Sequence, residues 1–410
     1  MLIQYNEKRE WLYVLLLAMV QFIHLVDFVI IMPLGPRFMS DFQITPTQFA
    51  SLVSSYNFAA GTSAILLGTF ADKFDRKKLL VLMAFGLGFG TVLCGLADSF
   101  ATLITARIMA GAFGGMVGAL ILAIVADIVP YERRGKAMGV LMTAFSVASV
   151  IGLPIGLLIA DTYGWETCFF VISGIVFLIS LIIFVTFPNL ISNEKGIGGL
   201  KVIKRYYEFV FVKGYGLSFV FIFSVSMSMF MIIPFLAPYA VKNMGIAVEE
   251  IKYMYLAGGL CTILTARFIG VLTDRWGALK SYVLVAVVSI APILLYTNAG
   301  PMSLVPYLLI GSFFMIMVSG RMIPCMTLIS AVPSSEERGG YMGVVNSLRA
   351  FGSASATFIG GFIISESANG QLVGFSKAGL LAIAVTLLSC GLGFFLAKKV
   401  SFTPSEKLPV

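Results

Sequence analysis

Long apolar stretches separated by short polar breaks set the pattern of this chain. They fall near residues 11–34, 47–71, 79–97, 100–126, 137–160 and 166–187, and again near 215–240, 249–272, 279–297, 303–330, 339–364 and 377–397. A helix needs about 20 apolar residues to cross hydrocarbon, and each stretch is near that length. The pattern predicts an all-α membrane protein of twelve transmembrane helices (spans 1 to 12) in two groups of six. The expected organisation is a six-helix half over residues 1–187, a linker over 188–214, a second six-helix half over 215–397 and a tail over 398–410. The linker "PNLISNEKGIGGLKVIKRYYEFVFVKG" is basic and holds glycines, and reads as a cytoplasmic connection with a short surface helix. The run from Trp11 to Leu34 is too long for the apolar part of a signal peptide, and no small-residue cleavage site follows it, so it reads as span 1.

Composition sharpens the picture. Of 410 residues, 59% are hydrophobic and 12% charged, leaving no room for a soluble domain beside the spans. The net charge of +8 is topological. Twenty of the 28 Lys and Arg residues fall on one side of the expected bilayer and four on the other (Arg37, Lys242, Lys252 and Lys377). The remaining four, Arg107, Arg267, Arg321 and Arg349, lie within spans. Basic loops stay in the cytoplasm, so both termini are expected there and nucleic acid is not an expected partner. The expected setting is a bacterial inner membrane. The five cysteines are dispersed in apolar runs, the chain has one histidine, and it lacks phosphate-loop, dinucleotide, zinc-protease and serine-hydrolase motifs. Neither a cofactor, nor a metal, nor an enzymatic function is expected.

The two halves repeat each other. "GTFADKFDRKK" (68–78) matches "GVLTDRWGALK" (270–280), "PYERRGKAMGV" (130–140) matches "SSEERGGYMGV" (334–344), and "MPLGPRF" (32–38) matches "IPFLAPY" (233–239). Duplicated halves facing a midplane site are a transporter architecture. On these motifs the chain resembles the major facilitator superfamily along essentially its whole length, and within it the twelve-helix, proton-driven drug- and sugar-efflux group. Gly68, Asp72, Lys73, Arg76 and Lys77 are similar to the family's cytoplasmic signature, with Asp75 where the pattern has glycine. The second copy keeps Gly270, Asp274, Arg275 and Gly277 but not the following basic pair. "RIMAGAFGG" in span 4 resembles a second signature through Arg107, Gly111 and Gly115. "VIGLPIGLL" in span 5 partly matches the antiporter signature, with Leu153 intruding between Gly152 and Pro154.

The resemblance implies alternating access by a monomer, with spans 1, 4, 7 and 10 around a central cavity. It also implies a latch at the cytoplasmic face. Gly68 and Gly270 precede Asp72 and Asp274 by four residues on the same helix face, and a glycine there admits a neighbouring helix. Each carboxylate then meets the positive end of a helix dipole, that of span 11 near Gly339 for Asp72 and that of span 5 near Lys136 for Asp274. Arg76, Lys77, Arg133, Arg134 and Arg275 belong to the same basic face. An ordinary charged turn at the membrane surface is the alternative.

Ionisable residues inside spans are functional by default. His24 and Asp27 are three apart on one face of span 1. Asp27 lies about 12 Å, and Arg107 in span 4 about 10 Å, below the expected outer surface, so the two match in depth. If they pair in one state and part in another, Asp27 is a proton switch; otherwise they form a fixed ion pair. His24 relays protons, binds substrate or holds Asp27. Arg321 and Arg349 have no acidic neighbour in sequence and are candidate substrate contacts. Gln21, Tyr56 and Asn57 add polar points, and Met227 and Phe230 an adaptable apolar lining. The favoured function is proton-coupled export of a small amphiphilic neutral or anionic molecule. An importer or facilitator of an organic anion or sugar, and a receptor that binds without transporting, are the alternatives.

Overall fold

In the computed structural model, residues 7–68, 74–188, 208–209, 214–334 and 337–402 are described. All twelve expected stretches contain helix, although several are broken. The first half runs α1 (Glu7–Ile30), a short α2 (Gly35–Asp41), α3 (Pro46–Gly68), α4 (Arg76–Gly95), α5 (Phe100–Ile128), α6 (Tyr131–Val147), α7 (Leu153–Tyr163) and α8 (Trp165–Thr186). The second half runs α9 (Gly216–Phe230), α10 (Leu236–Tyr239), α11 (Ile251–Trp276), α12 (Ala278–Val288), α13 (Ile290–Thr297), α14 (Leu304–Gly320), α15 (Met322–Ser330), α16 (Arg338–Ile363) and α17 (Phe375–Phe402). A two-residue hairpin, β1 (Ser365–Glu366) against β2 (Leu372–Val373), joins α16 to α17. Most of the expected linker, including its expected surface helix, lies outside the described residues, as do Asp72 and Lys73.

Among the described residues, nine helical stretches are long and apolar enough to cross a membrane. The three expected spans outside that set are α3, α6 with α7, and α16. Span 5 is divided by a break into shorter helices, and α3 and α16 are more polar because each gives one face to the other: α3 packs along α16, as α7 packs against α11. Small and polar side chains suit such helix–helix contacts in a membrane.

The breaks have local causes. Pro154 has no N–H to continue the ladder, and the turn before it opens into a π-helix over Ala148–Gly152. Pro234 sits in a 3-10 turn, Ile233–Phe235, that interrupts span 7. Span 10 breaks at Arg321, between α14 and α15. Asp75, the departure from the family pattern, caps α4: its carboxylate accepts from the N–H groups of Lys77 and Lys78.

Contacts between the halves concentrate away from the basic end of the molecule. The Thr47 hydroxyl donates to the Gly361 carbonyl at 2.6 Å, Lys252 meets Asp161 at 2.7 Å, and Phe49 packs edge-on to Phe235. Deeper in, Phe58 lies against Phe351 with ring centres 6.2 Å apart. At the basic end the helices stand apart. A Cβ built on Gly135 or Gly139 of α6, Gly270 of α11 or Gly343 of α16 would meet nothing within 4 Å among the described residues. Among the described residues, the hydrogen bond, ion pair and ring contacts between the halves thus gather toward the end opposite the basic one.

Candidate functional site

Toward the basic end, stripes of partly accessible side chains mark a cleft between the halves. On α1 the stripe is Gln21, His24, Leu25 and Phe28, at helical spacing, while Ile23, Val26 and Asp27 are buried. On α9 it is Val220, Phe223, Met227 and Phe230, and nearly every other position from Ser218 to Met229 is buried. Phe28 bridges the two stripes. Its ring stacks on Tyr56 at 5.4 Å and lies 6.0 Å from Phe230.

Asp27 sits directly behind the α1 stripe, with no accessible surface. Thr91 of α4 donates to its Oδ1 at 2.9 Å. Arg107 of α5, also fully buried, places Nη1 3.4 Å from Oδ2 and 3.3 Å from the Asp27 carbonyl oxygen. The guanidinium carbon stands 4.2 Å from the centre of the Tyr56 ring, a cation–π contact. The Tyr56 hydroxyl in turn lies 3.3 Å from His24 Nδ1. Arg107 keeps two nitrogens, Nε and Nη2, without a hydrogen-bond partner. The contrast with Arg76 is informative: its Nη1 holds both oxygens of Asp127 at 2.8 and 2.7 Å. One pair is tightly made at the membrane surface, and the other is loosely made in the interior.

Glycines explain why these groups converge. Gly111 and Gly115 of α5 lie against the α3 backbone at Tyr56 and Ala60, where any Cβ would strike a carbonyl oxygen. Gly114, on the adjacent face, leaves room for the Tyr56 hydroxyl and the His24 ring, which a Cβ would approach to 2.5 and 3.1 Å. Gly90 of α4 lies against the α5 backbone at Ala110, which brings the next residue, Thr91, within reach of Asp27. The glycine-rich run in span 4, with Gly90 of span 3, thus draws α1, α3 and α4 onto Arg107.

The other candidate residues are distributed as follows. Arg349 of α16 is accessible although it is eleven residues into its helix. Asn57 is buried beside Tyr56, with its Nδ2 unpartnered. Arg321 does not match the expected substrate contact. It is fully buried within the second half, where it donates from Nη1 to the Thr386 hydroxyl of α17 at 2.8 Å and from Nε to the Val318 carbonyl. Its guanidinium fills the break in span 10 and does not reach the cleft.

Of the latch candidates, Gly68 ends α3 at the edge of the described residues. Arg76 is held by Asp127, Lys77 donates to the Phe187 carbonyl at 2.6 Å, and Arg133 pairs with Glu10 at 2.6 Å, all within the first half. Arg134 is partly buried near the start of α6. Asp274 and Arg275 are exposed, and among the described residues Asp274 makes no ion pair with span 5. Gly270 borders open space, so in this conformation it admits no neighbouring helix.

Sequence reasoning missed three participants. Phe28 was legible, because it shares the helix face of His24 and Gln21. Thr91 gave no signal beyond being one polar residue in an apolar run. The third is Asp161 at the end of α7, whose carboxylate joins Arg37 at 2.5 Å and Lys252 at 2.7 Å. The scarcity of cations on that side was its only cue.

A buried carboxylate beside an arginine, a tyrosine and a histidine, at the wall of a cleft open at one end, is equipped to move protons and bind a small molecule. It holds no cluster of groups able to bind a metal among the described residues. Comparisons with known proteins agree with a transport role. The chain is 24% identical over 384 residues to YceJ, an uncharacterised transporter of Bacillus subtilis strain 168, covering 93% of this chain and 95% of that one. Its fold matches a bacterial homologue of the human lysosomal transporter Spinster, solved inward-facing and occupied, with a TM-score of 0.75 at 15% identity over 98% of this chain and all of that one. It also matches the nucleoside transporter NupG with a TM-score of 0.74 at 13% identity, covering 94% and 99% of the two chains. The Major Facilitator Superfamily model matches residues 17–215 and 218–409, and the chain belongs to that superfamily of membrane transporters.

Proposed function

We propose that the chain is a proton-coupled secondary transporter that exports a small amphiphilic neutral or anionic organic molecule by alternating access. On this reading it has twelve spans in two six-helix halves (1–187 and 215–397), joined by a cytoplasmic linker and ending in a cytoplasmic tail (398–410). It works as a monomer in a bacterial inner membrane, with both termini inside. The basic end is then the cytoplasmic end, and the structure is an inward-open state. On this reading Asp274, exposed here, belongs to a latch that forms when the inner end closes, as does Asp72, which lies outside the described residues.

The observation that carries proton coupling is the imperfect Asp27–Arg107 pair. A fixed buried ion pair needs close geometry and satisfied hydrogen bonds to offset desolvation. Here the guanidinium reaches the carboxylate through one contact of 3.4 Å, and two of its nitrogens have no hydrogen-bond partner. Protonating Asp27 removes the Coulombic part of that contact and leaves Arg107 to Tyr56 and the Asp27 carbonyl. Deprotonation restores the attraction and pulls α1 toward α5. His24, bonded to Tyr56 and partly accessible from the cleft, gives the proton a route. Tyr56, Asn57, Gln21, Met227 and Phe230 supply the polar points and the apolar lining for the substrate.

Everted vesicles carrying a pH-sensitive dye test the reading against a panel of organic compounds. Compounds that dissipate the imposed gradient with the wild type should leave it intact with Asp27→Asn. Equal dissipation by both proteins removes Asp27 from the coupling. The second reading, an importer or facilitator of an organic anion or sugar, is favoured by the accessible Arg349. It predicts transport that ignores the pH gradient.

A further inference from the structure

Three arginines lie deep in the bundle, and their surroundings differ. Arg107 has Asp27. Arg321 is sealed inside the second half against Thr386 and the Val318 carbonyl. Arg349 has neither: among the described residues its guanidinium makes no hydrogen bond or ion pair, yet it is accessible.

That accessibility is to the cleft, not to lipid. Phe358 and Phe362 mark the outer face of α16, with 38% and 66% of their surface exposed. Arg349 precedes Phe358 by nine residues, a rotation of about 180° on a helix, so it points the opposite way. Asn346, three residues earlier, shares its face. The neighbouring positions Val345 and Ser353 are buried. Just beyond Arg349, Phe351 lies against Phe58 of α3 with ring centres 6.2 Å apart and Gly352 lies against the Phe223 carbonyl of α9, so this stretch of α16 runs between α3 and α9. An arginine cannot shed its proton there. The cleft thus has a permanent positive charge with open coordination, and the apolar surface of Phe28, Met227 and Phe230 lies further along it, Phe230 being level with Thr357, about 12 Å of helical rise beyond Arg349.

We infer that Arg349 is the binding point for an anionic head group, and that the transported substrates are amphiphilic organic anions. A carboxylate, sulfonate or phosphate takes two hydrogen bonds from the guanidinium, and the apolar body lies against Phe28 and Phe230. A cation in the same cleft meets uncompensated like charge. This narrows the proposed substrate class, and it rests on the transport reading only for the statement that the bound anion is moved.

The charge is measured without transport or a proton gradient. Met227→Cys places a thiol on the cleft wall, and its modification by a sulfonate-bearing and a trimethylammonium-bearing methanethiosulfonate is followed by peptide mass spectrometry, so the native cysteines stay. Relative to a free thiol, the anionic reagent should be favoured by about tenfold, given a unit charge nearby in a partly aqueous cleft. Adding Arg349→Gln should abolish the preference and Arg349→Lys should keep it. A preference unaffected by Arg349→Gln, or one for the cationic reagent in the parent, overturns the inference. Two added probes separate sources of the head group, 1-naphthalenesulfonate for a soluble organic anion and lysophosphatidylglycerol for a lipid. The one that slows modification in the parent, and not with Arg349→Gln, identifies the class. If neither does, the charge holds no such head and the substrate assignment fails. Because no proton flux is read, this outcome is independent of the vesicle test of Asp27.

Discussion

Removing the Asp161 carboxylate should shift the protein away from the conformation described here. Asp161 ends α7, and its two oxygens join Arg37, in the first half, to Lys252 at the start of α11 in the second. Only the Lys252 contact crosses between halves. The Arg37 contact fixes the carboxylate and is reinforced by a 3.0 Å bond from Arg37 to the Ala160 carbonyl. The side chains are 9% (Asp161) and 19% (Lys252) exposed, so the bond is shielded without being buried outright. Fully exposed pairs contribute about 0–1 kcal/mol, and hydrogen bonds to charged groups about 1.5–3. A cross-half contribution of about 1.5 kcal/mol follows, or about a tenfold change in the ratio of closed to open states at that end. The assay is distance measurement between spin labels on the closed end, in wild type, Asp161→Asn, Lys252→Gln and the double variant. Each single change should broaden the distribution toward longer distances, and the double should add little to either, because they remove the same bond. Additive effects, or distances unchanged in Asp161→Asn, would refute the reasoning and leave closure to Thr47, Gly361 and the aromatic contacts.

Further expectations follow from the site. Gly114→Ala should lose transport and cost about 1–3 kcal/mol of thermal stability in detergent, because the added methyl meets both Tyr56 and His24; Gly118→Ala, with only Gln21 Oε1 at 3.7 Å, should behave as wild type in both assays. Thr91→Val should cost about 1–3 kcal/mol by leaving an Asp27 oxygen without its donor, while Thr91→Ser keeps the bond and the stability, both read by thermal unfolding. Thr386→Val should lower stability by about 1–3 kcal/mol and leave substrate preference in a transport panel unchanged, since Arg321 is a structural group sealed from the cleft.

The sequence carried the fold through quantities that depend on composition over many residues. Apolar length pointed to stretches that all contain helix, nine of them long and apolar enough to cross a membrane among the described residues. The depth of Asp27 and Arg107 was also legible, because helical rise converts residue count into height. What depth cannot supply is rotation and helix breaks. Arg321 and Arg349 look alike in sequence, each an arginine well inside an apolar run. One is sealed inside its own half at a broken turn and the other is accessible. Only the packing of neighbouring helices separates them. The expected latch was not legible in this way: Asp274 is exposed and Gly270 has no neighbour within 4 Å among the described residues. Asp161 was overlooked because its importance lies in joining Arg37 and Lys252, which are far apart in the chain.

The central claim is that Asp27 exchanges a proton as its contact with Arg107 is made and lost. Difference infrared spectroscopy of the purified protein in liposomes, stepped across a range of pH, measures this most directly. The account predicts a protonated-carboxyl band that appears and disappears with pH in the wild type, that is absent in Asp27→Asn, and whose transition moves when Arg107 is replaced by Gln. A band that persists in Asp27→Asn, or an Asp27 carboxylate that stays ionised throughout the range, would make the pair a permanent structural one and contradict the account.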